Sequence, residues 1–193
     1  MQAQDVLDFW FLPAHSEGFG KSRPEWFRKD AQFDAAIRMR FGTALELAVA
    51  GGLRDWDQQL GAAGTLARII VLDQFSRNAG RDTPAAFAGD ALALAAAQQL
   101  VASGADQTLL PVQRWFAYMP FEHAEDAAMQ EQAVALFAAL AAQAPGYEGV
   151  LDYAHRHRGV IARFGRFPHR NAILGRASTE AELAYLSEPG AGF

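Results

Sequence analysis

Apolar residues recur along this chain at steps of three and four, the spacing that puts them on one side of an α-helix. No run alternates with the period of two expected of a half-buried strand. Residues 3–11 read as a short aromatic-rich helix, AQDVLDFWF. A second helix starts at Pro24 or Asp30 and ends near Ala50. Phe33, Ile37, Phe41, Ala44, Leu45 and Ala48 form its stripe, and Gly51-Gly52 its stop. From Thr65 to Phe75 nearly every side is apolar, which marks a central helix. Thr83-Pro84 has the form of an N-cap and first-turn proline, opening a helix to about Ser103 with Gly104 behind it. Pro111 opens a short helix through Tyr118, Pro120 a longer one to about Gln143, and Tyr147 or Glu148 one that reaches about Phe164. Thr179 with Glu182 makes a capping box for a last helix. No linker interrupts the pattern, which predicts one all-α domain over residues 1–193.

Composition narrows the function classes. Half of the 193 residues are hydrophobic (51%) and a fifth charged (20%), as in a folded globular chain. No apolar run approaches the ~20 residues that cross a bilayer. The start, MQAQDVLDFWF, lacks the basic region of a signal peptide. Cysteine is absent, which excludes disulfides and thiolate chemistry and fits a cytoplasmic location. A net charge of −5 argues against a general nucleic-acid binder. The charge is uneven, however. From Tyr153 to Arg176 there are six arginines and three histidines without an acid. The only lysines are Lys21 and Lys29, so the placement of each arginine carries more weight than its identity.

Two groups of acids stand where apolar residues belong. The stripe Met129, Ala133, Leu136, Leu140 of the helix from Pro120 extends backwards onto Asp126 and Glu122, with His123 three residues from Asp126. Asp73 shares a face with Leu66, Ile69 and Ile70 at a helix C-terminal end, where the macrodipole disfavours an anion. A buried carboxylate needs a partner. Arg77, four residues on, and the arginine segment 163–176 can supply one. The expectation is an internal cluster of acids, arginines and histidines drawn from three helices and two loops.

Such a cluster could hold a small anionic ligand. Arg163, Arg166 and Arg170 would grip it, because guanidinium forks match carboxylate and phosphate. Asp73, Arg77, Asn78, Glu122 and Asn171 would surround it, and His123 or His169 would move protons, tuned by Asp126, Glu122 or Asp73. The competing reading is an ion-pair network that only fixes packing. His123 and Asp126 suit two metal ligands on one helix, but the pattern assigns no metal. His155 and His157, two apart, diverge by about 200° on a helix and cannot chelate together; His157 reads as a core residue. No cofactor, Walker, HExxH or Gly-x-Ser-x-Gly motif is present.

One internal echo recurs. The segment 75-FSRNAGRDTPAAF-87 resembles 167-FPHRNAILGRASTEAEL-183 in phenylalanine, Arg-Asn, a further arginine and a capped helix start. Arg-Asn in a loop can bond carbonyls left open at a helix end.

The combination LDQF-x-RN, PFEH-x-ED and RFGRFPHRNAILGR resembles the bacterial Domain of Unknown Function 924 family, from VLDFWF at the start to EPGAGF at the end. The resemblance implies a tetratricopeptide-like fold of stacked antiparallel helices and brings no established activity. It leaves open a protein-interaction module with a concave surface, in which Trp10, Trp26 or Trp115 would line a groove. RNA binding through Arg156, Arg163, Arg166 and Phe167 stands against the acidic total, and no feature sets an oligomeric state. Two positions depart from the family pattern. Ser76 replaces a common proline, and Ala124 replaces a common serine, so a serine nucleophile at that position cannot operate here.

Overall fold

A computed structural model describes residues 1–192. Every regular element among them is helical, as the periodicity requires. The chain divides into two compact units, residues 1–81 with 85–120, and residues 82–84 with the stretch after Pro120.

The first unit begins with α1 (Ala3–Phe11), followed by a 3₁₀ turn at Pro24–Trp26 and α2 (Ala31–Val49). Asp30 sets the start of α2 by accepting hydrogen bonds from the N–H groups of Gln32 and Phe33, at 2.8 and 3.0 Å. A short helix that the periodicity missed, α3 (Asp55–Leu60), precedes α4 (Ala62–Ile69). The central helix continues past α4 as a π-helical segment, Ile70–Phe75, and ends in α5 (Ser76–Ala79). All six π-helical residues are buried, Asp73 among them.

α6 (Asp90–Ala102) starts later than Thr83-Pro84 suggested, because Pro84–Phe87 forms only a 3₁₀ turn. Gly89 separates the two. A Cβ there would lie 2.1 Å from the Leu72 carbonyl oxygen, so the central helix approaches too closely for a side chain. The stretch Pro84–Ala102 does reach the length, 19 residues, and the mean hydropathy, 1.3, of a membrane-crossing helix. That differs from the expectation that no run comes close. Alanines supply the hydropathy, and Ala93, Ala96, Ala97 and Leu100 are buried in this unit.

Aromatic rings fill the core. Trp10 stacks on Trp26 at 5.9 Å, and Phe116 of α7 (Pro111–Glu122) meets Trp26 edge-on at 4.7 Å. Trp10 and Trp26 are therefore core residues and line no open groove. Trp115 is half-buried and stacks on exposed Phe27 at 5.0 Å.

In the second unit, α8 (Ala127–Gln143) and α9 (Glu148–Phe164) are joined by residues 144–147 and pack as an antiparallel hairpin. Pro120 does not open α8; it lies inside the last turn of α7. The opener of α8 is Asp126, whose side chain accepts the Met129 N–H at 2.9 Å. Gly165, in the left-handed region at φ 69°, ends α9 and donates its N–H to the Ile161 carbonyl at 2.8 Å. A 3₁₀ turn at Pro168–Arg170 then leads to α10 (Glu180–Leu186). The expected capping box is present. Glu182 N–H donates to Thr179 Oγ1 at 3.2 Å, and Thr179 N–H to Glu182 Oε2 at 2.7 Å.

Candidate functional site

The arginine segment follows α9 and returns toward the start of α10. Its counter-charges differ from those the helical stripes suggested. Arg166 reaches forward to α10 and binds Glu182 with both arms of its fork, Nε to Oε1 at 2.6 Å and Nη2 to Oε2 at 2.8 Å. These bonds and the Thr179 N–H hold the Glu182 carboxyl down to about 2. Arg176 binds Glu125 the same way, at 2.6 and 2.9 Å. Burial alone would raise the Glu125 pKa; the Arg176 bonds and the Phe167 N–H outweigh it and lower it.

Arg170 is buried. It lies 4.6 Å from the centroid of the Phe167 ring, and its Nη2 donates to the His123 carbonyl at 3.0 Å. Asn171, also buried, donates to Ser178 Oγ and accepts from Arg176 Nε. Arg166, Arg170 and Asn171 are thus each bonded to partners within the second unit.

Glu122 and His157 meet inside this unit. His157 Nδ1 lies 2.8 Å from Glu122 Oε1 and 2.9 Å from the Tyr153 carbonyl, so Nδ1 carries the proton. His157 is the satisfied core histidine that its stripe predicts. Gln130 seals the break between α7 and α8, its Nε2 donating to the Glu122 and Ala124 carbonyls at 2.7 and 2.8 Å. His123 stands 6.3 Å from His157, and His169 packs on Phe167 at 5.5 Å. Burial, reinforced by Arg170 and His157, lowers the His169 pKa to about 4, so this ring is neutral near pH 7. Asp126 is the correction: as an N-cap residue it is exposed, and the stripe from Met129 does not run through it. Among the described residues, no three His, Asp or Glu side chains are grouped as a metal ion would need.

Asp73, Arg77 and Asn78 belong to the first unit. Asp73 is fully buried, and Arg77 Nη1 lies 3.1 Å from its Oδ1 while bonding Asp90 Oδ1 at 2.7 Å. The counter-charge for Asp73 is local, the alternative that its four-residue spacing offered. Asn78 and Arg81 converge on buried Asp34, at 2.7 Å and, for the Arg81 fork, 2.8 and 3.0 Å. The echo between the two Arg-Asn segments is therefore physical. In each, the later arginine, Arg81 or Arg176, chelates a carboxylate bidentately. Of the two Arg-Asn pairs, Arg77 donates to the Asp73 carbonyl one turn back, and Arg170 to the His123 carbonyl just past the end of α7.

One arginine of the segment behaves otherwise. Arg163 is about half exposed (53%), and its carboxylate contact is long, 4.0 Å to Glu188. It stands beside a cleft of about 280 Å³ in the second unit, lined by Arg156, Gly159, Phe164, Tyr185, Glu188 and the residues after it. Arg163 sits over the Phe164 ring at 4.7 Å, and Phe164 contacts Tyr185 at 5.2 Å. Arg156 Nη2 donates to the Gly190 carbonyl at 3.3 Å. Sequence reasoning named Arg163 for an anionic ligand but gave Arg156 only to RNA. Their separation of seven residues, two turns of α9 on one face, is the signal that could have joined them.

Comparison with known proteins agrees with the fold. The model of a family described as "Bacterial protein of unknown function (DUF924)" matches residues 6–190. A solved structure of a protein of unknown function from Agrobacterium tumefaciens is similar, with 39% identity, 96% of each chain covered and a TM-score of 0.81. Among curated proteins, none matches.

Proposed function

The chain belongs to the bacterial DUF924 family, and from that premise we propose that its second unit binds a small anionic molecule in the cleft beside α9. The observation that carries this reading is the contrast between Arg163 and its neighbours in the segment. Arg166 and Arg176 are each chelated by a carboxylate at 2.9 Å or less. Arg163 instead stands half exposed at an open cleft, where the acid in the lining, Glu188, is itself exposed and 4.0 Å away. Arg156 lines the same cleft two turns earlier. A carboxylate or phosphate entering there meets the field of two guanidinium groups. The bonds of Arg166, Arg170 and Arg176 support reading the remaining arginines of the segment as a structural network.

The histidines lie outside this cleft, so the reading is of binding without proton transfer by His123 or His169. Titration of isotope-labelled protein with methyl phosphate, followed by NMR, tests it. Saturable shifts at residues 156–164 and 185–191, lost in Arg163→Gln, are expected. Shifts that do not saturate, or that survive in Arg163→Gln, would overturn it.

A further inference from the structure

Gly42, Gly149 and Gly159 are helical glycines whose packing does not explain the missing side chain, and of these Gly159 lines the cleft. Gly159 lies in the middle of a seventeen-residue helix, in a chain where alanine fills most small positions. Glycine there costs the helix about 1 kcal/mol relative to alanine. Close approach is the usual reason to accept that cost, as at Gly89, where the Cβ position is blocked at 2.1 Å. At Gly159 a Cβ would meet nothing within 4 Å, so no described part of the protein needs the missing side chain. The space opens into the cleft, and Gly159 is part of its lining.

The neighbours of Gly159 define what would use that space. Arg156 precedes it by three residues and Arg163 follows by four, so both share its face, about 10 Å apart along the axis. Val160, Phe164 and Tyr185 form the apolar side of the cleft, and Pro189, Gly190 and Ala191 carry the chain along the other. A bare stretch of helix backbone between two guanidinium groups, next to aromatic rings, suits a flat body bearing an anionic group. A compact inorganic anion would use the arginines and leave the notch empty.

Resting on the reading that this cleft binds anions, we infer that its ligand is a planar, aromatic anion, an aryl or heteroaryl phosphate or carboxylate, and that Gly159 sets this preference. The ring lies over Gly159 against Phe164 and Tyr185, and the anionic group takes Arg163. Alanine at 159 would place a methyl group in the plane the ring occupies.

Two probes with the same charged group separate the inference from the reading beneath it. Phenyl phosphate and methyl phosphate are titrated into the full chain and followed by NMR, with parallel titrations of Gly159→Ala and Arg163→Gln. The expected result is at least ten-fold tighter binding of phenyl phosphate. Gly159→Ala should remove that advantage and raise the melting temperature. Arg163→Gln should weaken both probes. Equal affinities in the parent chain, or a preference that survives Gly159→Ala, overturn the inference and leave the anion site standing. If neither probe binds in an Arg163-dependent way, the site and the inference fall together.

Discussion

Arg176 reaches across 51 residues of sequence to hold Glu125 in a two-pronged grip, Nη1 to Oε2 at 2.6 Å and Nη2 to Oε1 at 2.9 Å. Glu125 also receives the Phe167 N–H at 2.7 Å, so one carboxylate ties the break between α7 and α8 to the loop after α9. Arg176→Gln removes both charged bonds and leaves the carboxylate partly buried. With allowance for solvent at these quarter-exposed side chains, the expected loss of stability is about 1–2 kcal/mol. All four tryptophans lie in the first unit, so their fluorescence reports on that unit. Urea unfolding should therefore be followed by circular dichroism at 222 nm. An unchanged midpoint in Arg176→Gln would show that the grip contributes nothing.

His169 makes stability depend on pH in a window that can be stated in advance. Its folded pKa is lowered to about 4 from the ordinary 6.5, chiefly by burial. Between those values the unfolded chain binds a proton that the native one refuses, so stability falls as pH drops from 6.5 toward 4. The full effect is about 3 kcal/mol. His169→Phe should flatten this limb of the stability curve while leaving the plateau above pH 7 nearly in place. Urea midpoints at half-unit pH steps check this, and a limb unchanged in the variant would assign it to other groups.

Asp73 is the most deeply buried charge in the first unit, with no measurable exposure, and Arg77 is its counter-charge at 3.1 Å. The same guanidinium also binds Asp90 at the start of α6, at 2.7 and 3.2 Å. Arg77→Met removes the guanidinium that Asp73 and Asp90 share. Breaking a buried pair from one side typically costs about 3–5 kcal/mol, and a loss in that range is expected here. Tryptophan fluorescence is the right probe for this unit. The double variant Arg77→Met with Asp73→Asn should recover part of the loss, because the stranded charge is then gone.

Much of the helical fold could be read from the sequence, for local reasons. Asp30, Gly104 and the Thr179–Glu182 box are start and stop signals that act within a few residues, and each functions as read. Pro120 misled, because proline in the last turn of a helix loses only one backbone bond and need not begin a new one. Misplacing that boundary carried Asp126 into a stripe it does not belong to. Burial of Asp73 was legible, because the apolar residues that share its helix face carry it inward with them. Glu122 is buried as expected, but at the end of α7 rather than on an extension of the α8 stripe. Partners were legible only where spacing is local, as with Arg77. Glu182 was visible as the acid of a capping box, and Glu125 stands one residue before the Asp126 N-cap. Nothing in a linear sequence says that Arg176 and Arg166 would return to meet them, because those pairings depend on how the loop folds. The cleft is of the same kind: seven residues separate its two arginines on α9, but its other wall comes from residues 185–191.

The π-helical turn at the heart of the first unit carries one loose end. Ser76 directly follows it and is 1% exposed, yet its hydroxyl oxygen has no hydrogen-bond partner among the described residues. A buried hydroxyl without a partner loses its hydration and receives nothing in return, which costs about 1–3 kcal/mol. Ser76→Ala should therefore be at least as stable as the parent and gain up to about 1 kcal/mol, after the small packing loss of one atom. Most buried substitutions go the other way, so the direction alone is informative. Urea unfolding followed by tryptophan fluorescence measures it. A clear loss of stability would mean that the hydroxyl is bonded in solution, and amide exchange at residues 71–80 would then locate the bond.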